Sequence, residues 1–265
     1  MESMARLARA DVLGVGVHAI NMQQAVAAID SAIRDRRKGY VCVTGVHGVM
    51  EAQSDSEFKK ILNNSLLTTP DGMPTVWVGR LQGFELMDRV YGPDLMLEIC
   101  RLSEKRGYRH FFYGGNDGIA ERLADSLRSR YQNLNVVGVA TPPFRPLNPA
   151  EEESLRQRVS EARPDFVWVG LSTPKQERFM AKHFETLDCT LMLGVGAAFD
   201  IHTGMTKDPP DWVKQAGLQW VYRFLQEPRR LWKRYLVNNP KFIFKITLQI
   251  LRQGFSSRTK EIRES

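Results

Sequence analysis

The apolar positions between residues 12 and 194 follow two alternating patterns of spacing. Short continuous apolar runs indicate buried strands, and apolar positions three and four residues apart indicate helices. The predicted strands are Val12–Ile20, Tyr40–Val43, Leu66–Thr68, His110–Tyr113, Val136–Val139, Phe166–Gly170 and Thr190–Gly194. The predicted helices are Gln23–Arg36, Val49–Asn63, segments that start at Met73 and after Pro93, Ile119–Tyr131, Pro149–Ala162 and Pro174–Phe184.

This alternation predicts the fold class. Strands separated by crossover helices form a mostly parallel sheet with helices on both faces, so we expect a Rossmann-like α/β fold. Ligands of such folds bind at the carboxyl ends of the strands. The residues that directly follow each predicted strand are therefore the candidates for function.

The last fifty residues have a different pattern. Prolines are tolerated in the first turn of a helix but not inside it, so breaks at Pro228 and at Asn238-Asn239-Pro240 predict short helical pieces. In the last piece polar residues recur every four positions, and apolar residues fill the rest of the helix surface. This pattern fits a helix packed on its own core, and it also fits an interfacial membrane helix.

Charge separates this segment from the rest of the chain. Residues 216–265 contain 11 Lys/Arg and 3 Asp/Glu, a net charge of +8, whereas residues 1–215 contain 26 and 27, a net charge of −1. We therefore predict an α/β catalytic domain over residues 1–210 and a basic helical appendage over residues 211–265. A basic appendage indicates an anionic partner, such as a phosphate-bearing ligand, nucleic acid or a membrane leaflet.

Other sequence features narrow the class of protein. The three cysteines, Cys42, Cys100 and Cys189, show no CxxC or Cys/His spacing, so neither structural zinc nor disulfides are expected. The first six residues lack the apolar core of a signal peptide, and no apolar stretch reaches the roughly 18 residues of a spanning helix. We expect a cytoplasmic or peripheral protein.

Two glycine-rich segments follow predicted strands. Gly114 and Gly115 open a helix, where backbone amides can meet an anion at the positive helix end, although a plain glycine-rich turn explains them equally well. Gly194 and Gly196 let the backbone approach a ligand, and Asp200 is placed to accept hydrogen bonds from ribose hydroxyls. Both segments are candidates for nucleotide contact.

Two polar segments also follow predicted strands. Lys175, Gln176 and Glu177 crowd the first turn of a helix after Gly170, and helix capping explains only part of that cluster, so a substrate role is expected. Asp71 lies in a Pro-Asp-Gly segment, which is first of all a turn signal. A carboxylate on a loop after a strand can also act as a general base, and the two roles are compatible.

Six motifs in order along the chain carry a family resemblance. They are Pro70-Asp71-Gly72 with Arg80, Arg89-x-x-Gly92-x-Asp94-Leu95, Gly114-Gly115, Gly170-x-x-x-Pro174-Lys175-Gln176-Glu177, Gly194-x-Gly196-x-x-Phe199-Asp200-x-x-x-Gly204, and Trp220-x-x-Arg223 with Glu227-Pro228-x-Arg230. From about Leu13 to Phe244 the chain resembles the WecG/TagA/CpsF family of glycosyltransferases. The resemblance implies transfer from a UDP-sugar to a polyprenyl-diphosphate-linked sugar at the inner membrane face, with inversion at the anomeric carbon.

The resemblance also implies roles for residues. Asp71 is the expected base, since an inverting displacement needs a group that takes the proton of the acceptor hydroxyl. The expected substrate-binding residues are Thr44, His47, Arg80, Arg89 and Gln176. The expected nucleotide-binding residues are Gly114, Gly115, Lys175, Glu177, Gly194, Gly196, Asp200, Arg223 and Arg230.

No metal and no cofactor are expected. The departing diphosphate gains charge, and no Asp-x-Asp pair that could hold a metal occurs in the sequence, so cationic side chains must neutralise it. The available cluster is Arg223, Arg229, Arg230, Lys233 and Arg234, of which Arg223 and Arg230 match the family pattern. A solvated basic face beside a membrane is the competing explanation of this cluster.

The chain departs from the family pattern after the second predicted strand. Many members have Thr-x-Asn there, whereas this chain has Thr44 followed by Gly45, Val46 and His47. His47 could replace the missing Asn as a hydrogen-bonding group, although a lone His near a strand end is more often structural. Gln219 also replaces a common Glu before Trp220.

The sequence thus predicts a metal-independent, inverting glycosyltransferase, peripheral on the cytoplasmic face of the inner membrane, in the synthesis of a surface or exported polysaccharide. Its expected partners are a UDP-sugar, a polyprenyl-diphosphate-linked acceptor and, through the C-terminal segment, the membrane surface. Nucleic acid is not expected, since base-stacking aromatics are not evident. A nucleic-acid-binding protein and a non-catalytic membrane adaptor are the alternatives, and turnover of a UDP-sugar separates them. The donor sugar, the acceptor glycan and the oligomeric state stay open.

Overall fold

The computed structural model describes the backbone of residues 7–264 and the side chains of residues 7–252. Six parallel strands form the central sheet in the order β4-β3-β8-β7-β5-β6, and β1 and β2 form a separate antiparallel hairpin. The strands are β1 Arg9–Val12, β2 Val15–His18, β3 Gly39–Thr44, β4 Leu67–Pro70, β5 Arg109–Gly114, β6 Asn135–Ala140, β7 Phe166–Gly170 and β8 Leu191–Gly194.

Helices connect the strands and continue beyond the last one. They are α1 Met22–Arg34, α2 Val46–Ser54, α3 Ser56–Asn64, α4 Met73–Leu81, α5 Gly92–Arg106, α6 Ile119–Arg130, α7 Pro149–Ala162, α8 Lys175–His183, α9 Ala198–His202, α10 Asp211–Gln215, α11 Gln219–Gln226, α12 Pro228–Trp232 and α13 Asn238–Glu264.

Two of the predicted elements are divided in the structure. The expected strand Val12–Ile20 is a hairpin, because Leu13 and Gly14 have φ angles of 56° and 80° and reverse the chain. The expected helix Val49–Asn63 is α2 followed by α3, because the Asp55 carboxylate accepts a 2.8 Å hydrogen bond from the amide of Phe58 and starts a new helix.

Hydrophobic cores cover both faces of the sheet. Helices α1, α5 and α6 bury Ile29, Leu95 and Leu123 on one face. Helices α3 and α8 bury Phe58 and Met180 on the other face, together with the hairpin. The predicted Rossmann-like α/β class is confirmed, and the parallel sheet brings the ends of all six strands to one edge.

The appendage forms one continuous helical rod after Pro228. Residues 233–237 wind as a π-helix between α12 and α13, and α13 contains 27 residues. The predicted break at Asn238-Asn239-Pro240 is therefore wrong. Pro240 lies in the first turn of α13, where its missing amide is not needed, and the π turn absorbs the change in hydrogen bonding.

Helix α13 has one packed face and one exposed face. Phe242 and Ile246 are buried in the core that also contains α2. Apolar residues on the opposite face are exposed; they are Ile243, Phe244, Leu248 and Leu251. The packed-helix interpretation thus holds for one face, and the outer face is available to a membrane. None of the helices in the described part of the chain is long and apolar enough to span a bilayer.

Candidate functional site

A cleft of about 590 Å³ lies at the carboxyl edge of the sheet. The loops after the strands form its floor, and the appendage helices α11 and α12 close one side. The predicted site residues that line it are Asp71, Gly115, Lys175, Gln176, Gly194, Gly196, Asp200, Arg223 and Arg230. Residues from distant parts of the sequence therefore meet in one cavity, as the fold class requires.

Asp71 directly follows strand β4 and lines this cleft. Its amide donates to the carbonyl of Thr44 over 3.1 Å, which continues the pairing of β3 with β4 by one residue. Its Oδ1 accepts a 3.3 Å hydrogen bond from the amide of Gly92 at the start of α5. The backbone of Asp71 is thus fixed by β3 and its carboxylate by the start of α5, while the residue borders the cavity.

The environment makes Asp71 a stronger base than an exposed aspartate. Burial raises its pKa, and the charges of Arg89, Arg223 and Arg234, together with the Gly92 hydrogen bond, oppose that rise only in part. A carboxylate that is poorly solvated when charged binds a proton more readily. A carboxylate of this kind at a cleft can accept a proton from a bound ligand.

Thr44 and His47 do not reach the lining of the cleft. The Thr44 side chain is buried, and its hydroxyl donates to the Cys42 carbonyl over 3.4 Å. The Nδ1 atom of His47 lies 3.4 Å from the Nδ2 atom of Asn238, which joins α2 to the start of α13. Burial, aided by the charge of Arg234, lowers the pKa of His47 to about 4. A neutral histidine at this joint supports the structural interpretation, and substrate contact by Thr44 or His47 stays a prediction.

Arg80 also lies outside the cleft. Its Nε donates to the carbonyl of Met87 over 2.9 Å, and its guanidinium lies 3.4 Å from the Asp88 carboxylate. These bonds close the loop after α4. Arg80 is thus not among the residues that line the cleft, and its contact with substrate stays a prediction.

Arg89 affects the pKa of Asp71 through its charge, and it also contacts the appendage. It donates to Oε1 of Gln219 over 2.8 Å and lies 4.5 Å from the ring centre of Tyr91, which lines the cleft. Arg89 is the first of the charges that oppose the rise in the Asp71 pKa. The contact with Gln219 also connects the body to α11.

The glycines of the first glycine-rich segment serve close packing. Gly114 has a φ of 135°, and a Cβ there would lie 2.6 Å from the carbonyl oxygen of Gly170. The amide of Gly115 donates to the same carbonyl over 3.1 Å. That amide is therefore engaged and is not free for an anion, although Gly115 borders the cleft. The plain-turn explanation accounts for both glycines.

The next polar segment divides between the cleft and the core. Lys175 is exposed at the cleft, and Gln176 borders it from beneath Gly194 and Gly196. Glu177 is 1% exposed and does not line the cavity, so the predicted nucleotide contact by Glu177 is not seen. Successive helix residues point about 100° apart, so Gln176 borders the cleft while the adjacent Glu177 side chain lies beneath it.

Three arginines of the appendage converge on the cleft, namely Arg223, Arg230 and Arg234. The Nε atoms of Arg223 and Arg234 are buried and have no hydrogen-bond partner among the described residues. Burial lowers the pKa of Arg234, yet a guanidinium stays protonated in proteins. Unpartnered guanidinium donors facing one cavity suit a diphosphate, whose oxygens accept in forked geometry.

Sequence reasoning missed two parts of the site. Arg234 belongs to the basic cluster predicted to neutralise the diphosphate but is not among the expected nucleotide-binding residues, although its spacing of four from Arg230 was the available signal. The proline-rich loop over residues 142–147 lines the far end of the cleft, where the rings of Tyr113 and Phe179 stack 4.6 Å apart. A proline-rich loop after a predicted strand was the signal there.

Comparison with known proteins identifies the family of the chain. The family model described as the glycosyl transferase WecG/TagA/CpsF family matches residues 10–256. The chain belongs to this family. The family prediction is therefore confirmed, and the chain is a glycosyltransferase.

Named relatives come from three bacteria and carry the same description, N-acetylglucosaminyldiphosphoundecaprenol N-acetyl-beta-D-mannosaminyltransferase. The Bacillus subtilis protein is 27% identical over 78% of this chain and 77% of its own length. The Bacillus spizizenii protein is 26% identical over 82% of each chain. The Staphylococcus aureus protein is 24% identical over 93% of this chain and 95% of its own length.

Proposed function

We propose that the protein is a metal-independent, inverting glycosyltransferase that moves a sugar from a UDP-sugar to a polyprenyl-diphosphate-linked acceptor. It does so at the cytoplasmic face of the membrane, in the synthesis of a surface or exported polysaccharide. The observation that carries the proposal is that Asp71 and three arginines of the appendage line one cleft, close enough that the charges of Arg223 and Arg234 act on the pKa of Asp71. This cleft joins a base to a diphosphate-binding surface.

The arginines are proposed to hold the donor diphosphate. As the glycosidic bond to the diphosphate breaks, the electron pair stays with the leaving UDP, whose negative charge grows. The Nε atoms of Arg223 and Arg234 have no hydrogen-bond partner among the residues described, whereas Arg230 is ion-paired with Glu227. Because the sequence contains no Asp-x-Asp pair, guanidinium groups are proposed to neutralise the diphosphate in place of a metal ion.

Asp71 is proposed to activate the acceptor. Its carboxylate takes the proton of the acceptor hydroxyl as that oxygen attacks the anomeric carbon from the face opposite the diphosphate. One bond from carbon to the acceptor oxygen forms and one bond from carbon to the diphosphate oxygen breaks. A single displacement of this kind inverts the anomeric centre.

The names of the relatives support an acceptor class. They describe transfer of N-acetyl-beta-D-mannosamine to N-acetylglucosaminyldiphosphoundecaprenol. We propose the same class of lipid-linked acceptor, and an N-acetylhexosaminyl donor, for this chain. The division into a catalytic domain over residues 1–210 and an appendage over residues 211–265 fits this proposal, because the arginines come from the appendage and the base from the body.

A panel of UDP-sugars tests the donor. The correct donor at about 100 times its Kd should stabilise the fold by about 2.7 kcal/mol, which raises Tm by roughly 5–10 °C for a chain of this size. Differential scanning fluorimetry measures the shift, and release of UDP measures turnover, with ADP-sugars as the matched control. If none of the UDP-sugars shifts Tm or is turned over, the proposed function fails. Tight RNA binding with a steep salt dependence would then favour the nucleic-acid alternative.

The outer face of α13 is proposed to contact the membrane. Deletion of residues 240–265 is a poor test, since Phe242 and Ile246 are buried against the body. Substitution of the exposed Lys241 and Lys245 leaves that packing intact. Each basic residue near an anionic leaflet contributes about 1 kcal/mol to binding.

Lys241→Glu combined with Lys245→Glu should weaken binding to phosphatidylglycerol vesicles by about 30-fold or more, because two attractive contributions of about 1 kcal/mol each are lost. Sedimentation with the vesicles measures this. The matched control is Arg101→Glu with Lys105→Glu, which makes the same charge change at the same spacing on exposed positions of α5. Equal losses in the two double variants would show that net charge, and not α13, governs binding.

A further inference from the structure

Glu177 is a buried carboxylate that the reaction scheme above does not use. Its Oε1 accepts hydrogen bonds from the Thr173 hydroxyl over 2.8 Å and from Nε2 of Gln176 over 3.1 Å. Its Oε2 is buried without a hydrogen-bond partner in the part of the chain described. Burying a carboxylate costs free energy, and Glu177 does not line the cleft. Its effect must therefore come through the residues that it contacts, Thr173 and Gln176.

The contact with Glu177 fixes the orientation of the Gln176 amide. Since Nε2 of Gln176 donates to Glu177, the carbonyl oxygen Oε1 of Gln176 must point away from the carboxylate. A rotated amide would set two acceptor oxygens against each other at about the same distance. Burial raises the pKa of Glu177, and a proton on the unpartnered Oε2 leaves this arrangement unchanged.

The Gln176 carbonyl oxygen is an acceptor without a donor. It is buried, it has no partner among the residues that the structure describes, and its side chain lines the cleft. Two glycines pack closely against this amide. A Cβ at Gly196 would lie 3.4 Å from this oxygen, and a Cβ at Gly194 would lie 3.1 Å from Nε2 of the same amide.

We propose that Glu177 is a positioning residue that orients Gln176, so that the Gln176 carbonyl oxygen accepts a hydrogen bond from an O–H or N–H group of the sugar nucleotide. This inference rests on the proposed function. It assigns Gln176 an acceptor-only role and gives Glu177 no contact with the ligand. The donating group belongs either to the nucleoside or to the sugar, and both offer hydroxyl or amide N–H groups.

A double-mutant cycle tests the inference. Glu177→Gln replaces the carboxylate by an amide that can present either an oxygen or an NH₂ group, so Gln176 is free to rotate. Glu177→Gln should raise the KM and the Kd of the UDP-sugar about tenfold and leave kcat within about twofold, since only ligand binding is affected. Gln176→Ala should raise both constants at least as much.

The double variant decides between positioning and a structural role. If Glu177 acts only through Gln176, Glu177→Gln should cost nothing further once Gln176 is alanine. Equal increases of Kd by Glu177→Gln in the wild-type and Gln176→Ala backgrounds would overturn the inference, and so would an unchanged Kd in Glu177→Gln alone. A cooperative melting transition for each variant confirms that it is folded.

Binding of UDP alone locates the donating group. If the variants weaken UDP as much as the UDP-sugar, the group is on the nucleotide; if only the intact UDP-sugar is affected, it is on the sugar. Unchanged affinity for both ligands overturns the inference. A wild-type protein that turns over no UDP-sugar refutes the proposed function itself, whereas an active wild type with additive variants refutes only the role of Glu177.

Discussion

Asp71→Asn is expected to lower kcat by about 10²–10⁴-fold, which is the usual contribution of a positioned general base. The amide keeps the shape of the side chain and its contact with the Gly92 amide, so the Kd of the donor should change little. Transfer assays at saturating donor measure kcat, and calorimetry measures the Kd. The exposed Asp188→Asn variant is the matched control and should keep full activity.

The pH profile gives a second readout of Asp71. Only the deprotonated carboxylate accepts a proton, so kcat/KM should fall as the pH drops through the pKa of Asp71. Since burial raises that pKa, the fall should begin above the ordinary range of an aspartate. The Asn variant should lose this limb of the profile. Full activity of Asp71→Asn, or an unchanged acid limb, would remove Asp71 from the mechanism.

Arg234→Ala is expected to lower kcat by about 10²–10³-fold, the usual cost of losing one donor to a developing negative charge. Arg234→Lys should recover only part of this, because an ammonium keeps the charge but lacks the planar fork. The matched control is Arg229→Ala in the same appendage, since Arg229 is exposed and lies outside the cleft lining.

Loss of Arg234 should also shift the pH profile. Its positive charge lowers the pKa of Asp71, so its removal should raise that pKa and move the acid limb of kcat/KM to higher pH. Steady-state kinetics from acid to alkaline pH measures the shift. If Arg229→Ala and Arg234→Ala reduce kcat equally and leave the profile in place, the cluster is a solvated basic face and not a diphosphate site.

Local signals explain why much of the fold was predictable. Helix α7 and strand β7 have the bounds predicted from the sequence, and the start of α7 is fixed by Asn148, which precedes Pro149 and forms a reciprocal capping box with Glu151. The hairpin was missed because Leu13 has a positive φ without being a glycine. The π turn over residues 233–237 leaves no periodic signal of its own.

The candidate site was predictable where a strand end places the residue. Asp71 follows β4 directly, Gly194 ends β8, and Gly196 and Asp200 come within six residues of that end, so the parallel sheet brings them together. Side chains on helices were harder to predict, because their direction depends on helix phase. Glu177 points into the core, and Arg234 reaches the cleft from a turn whose extra residue the sequence does not reveal.

The most direct test of the central claim is transfer to a lipid-linked acceptor in the presence of a chelator. The full chain is mixed with a UDP-N-acetylhexosamine, N-acetylglucosaminyldiphosphopolyprenol and EDTA, and the product is analysed by mass spectrometry and NMR. We predict that one N-acetylhexosamine is added with the opposite anomeric configuration and at the same rate as without EDTA. Absence of transfer from every UDP-N-acetylhexosamine, a retained configuration or a strict requirement for Mg²⁺ or Mn²⁺ would contradict the claim.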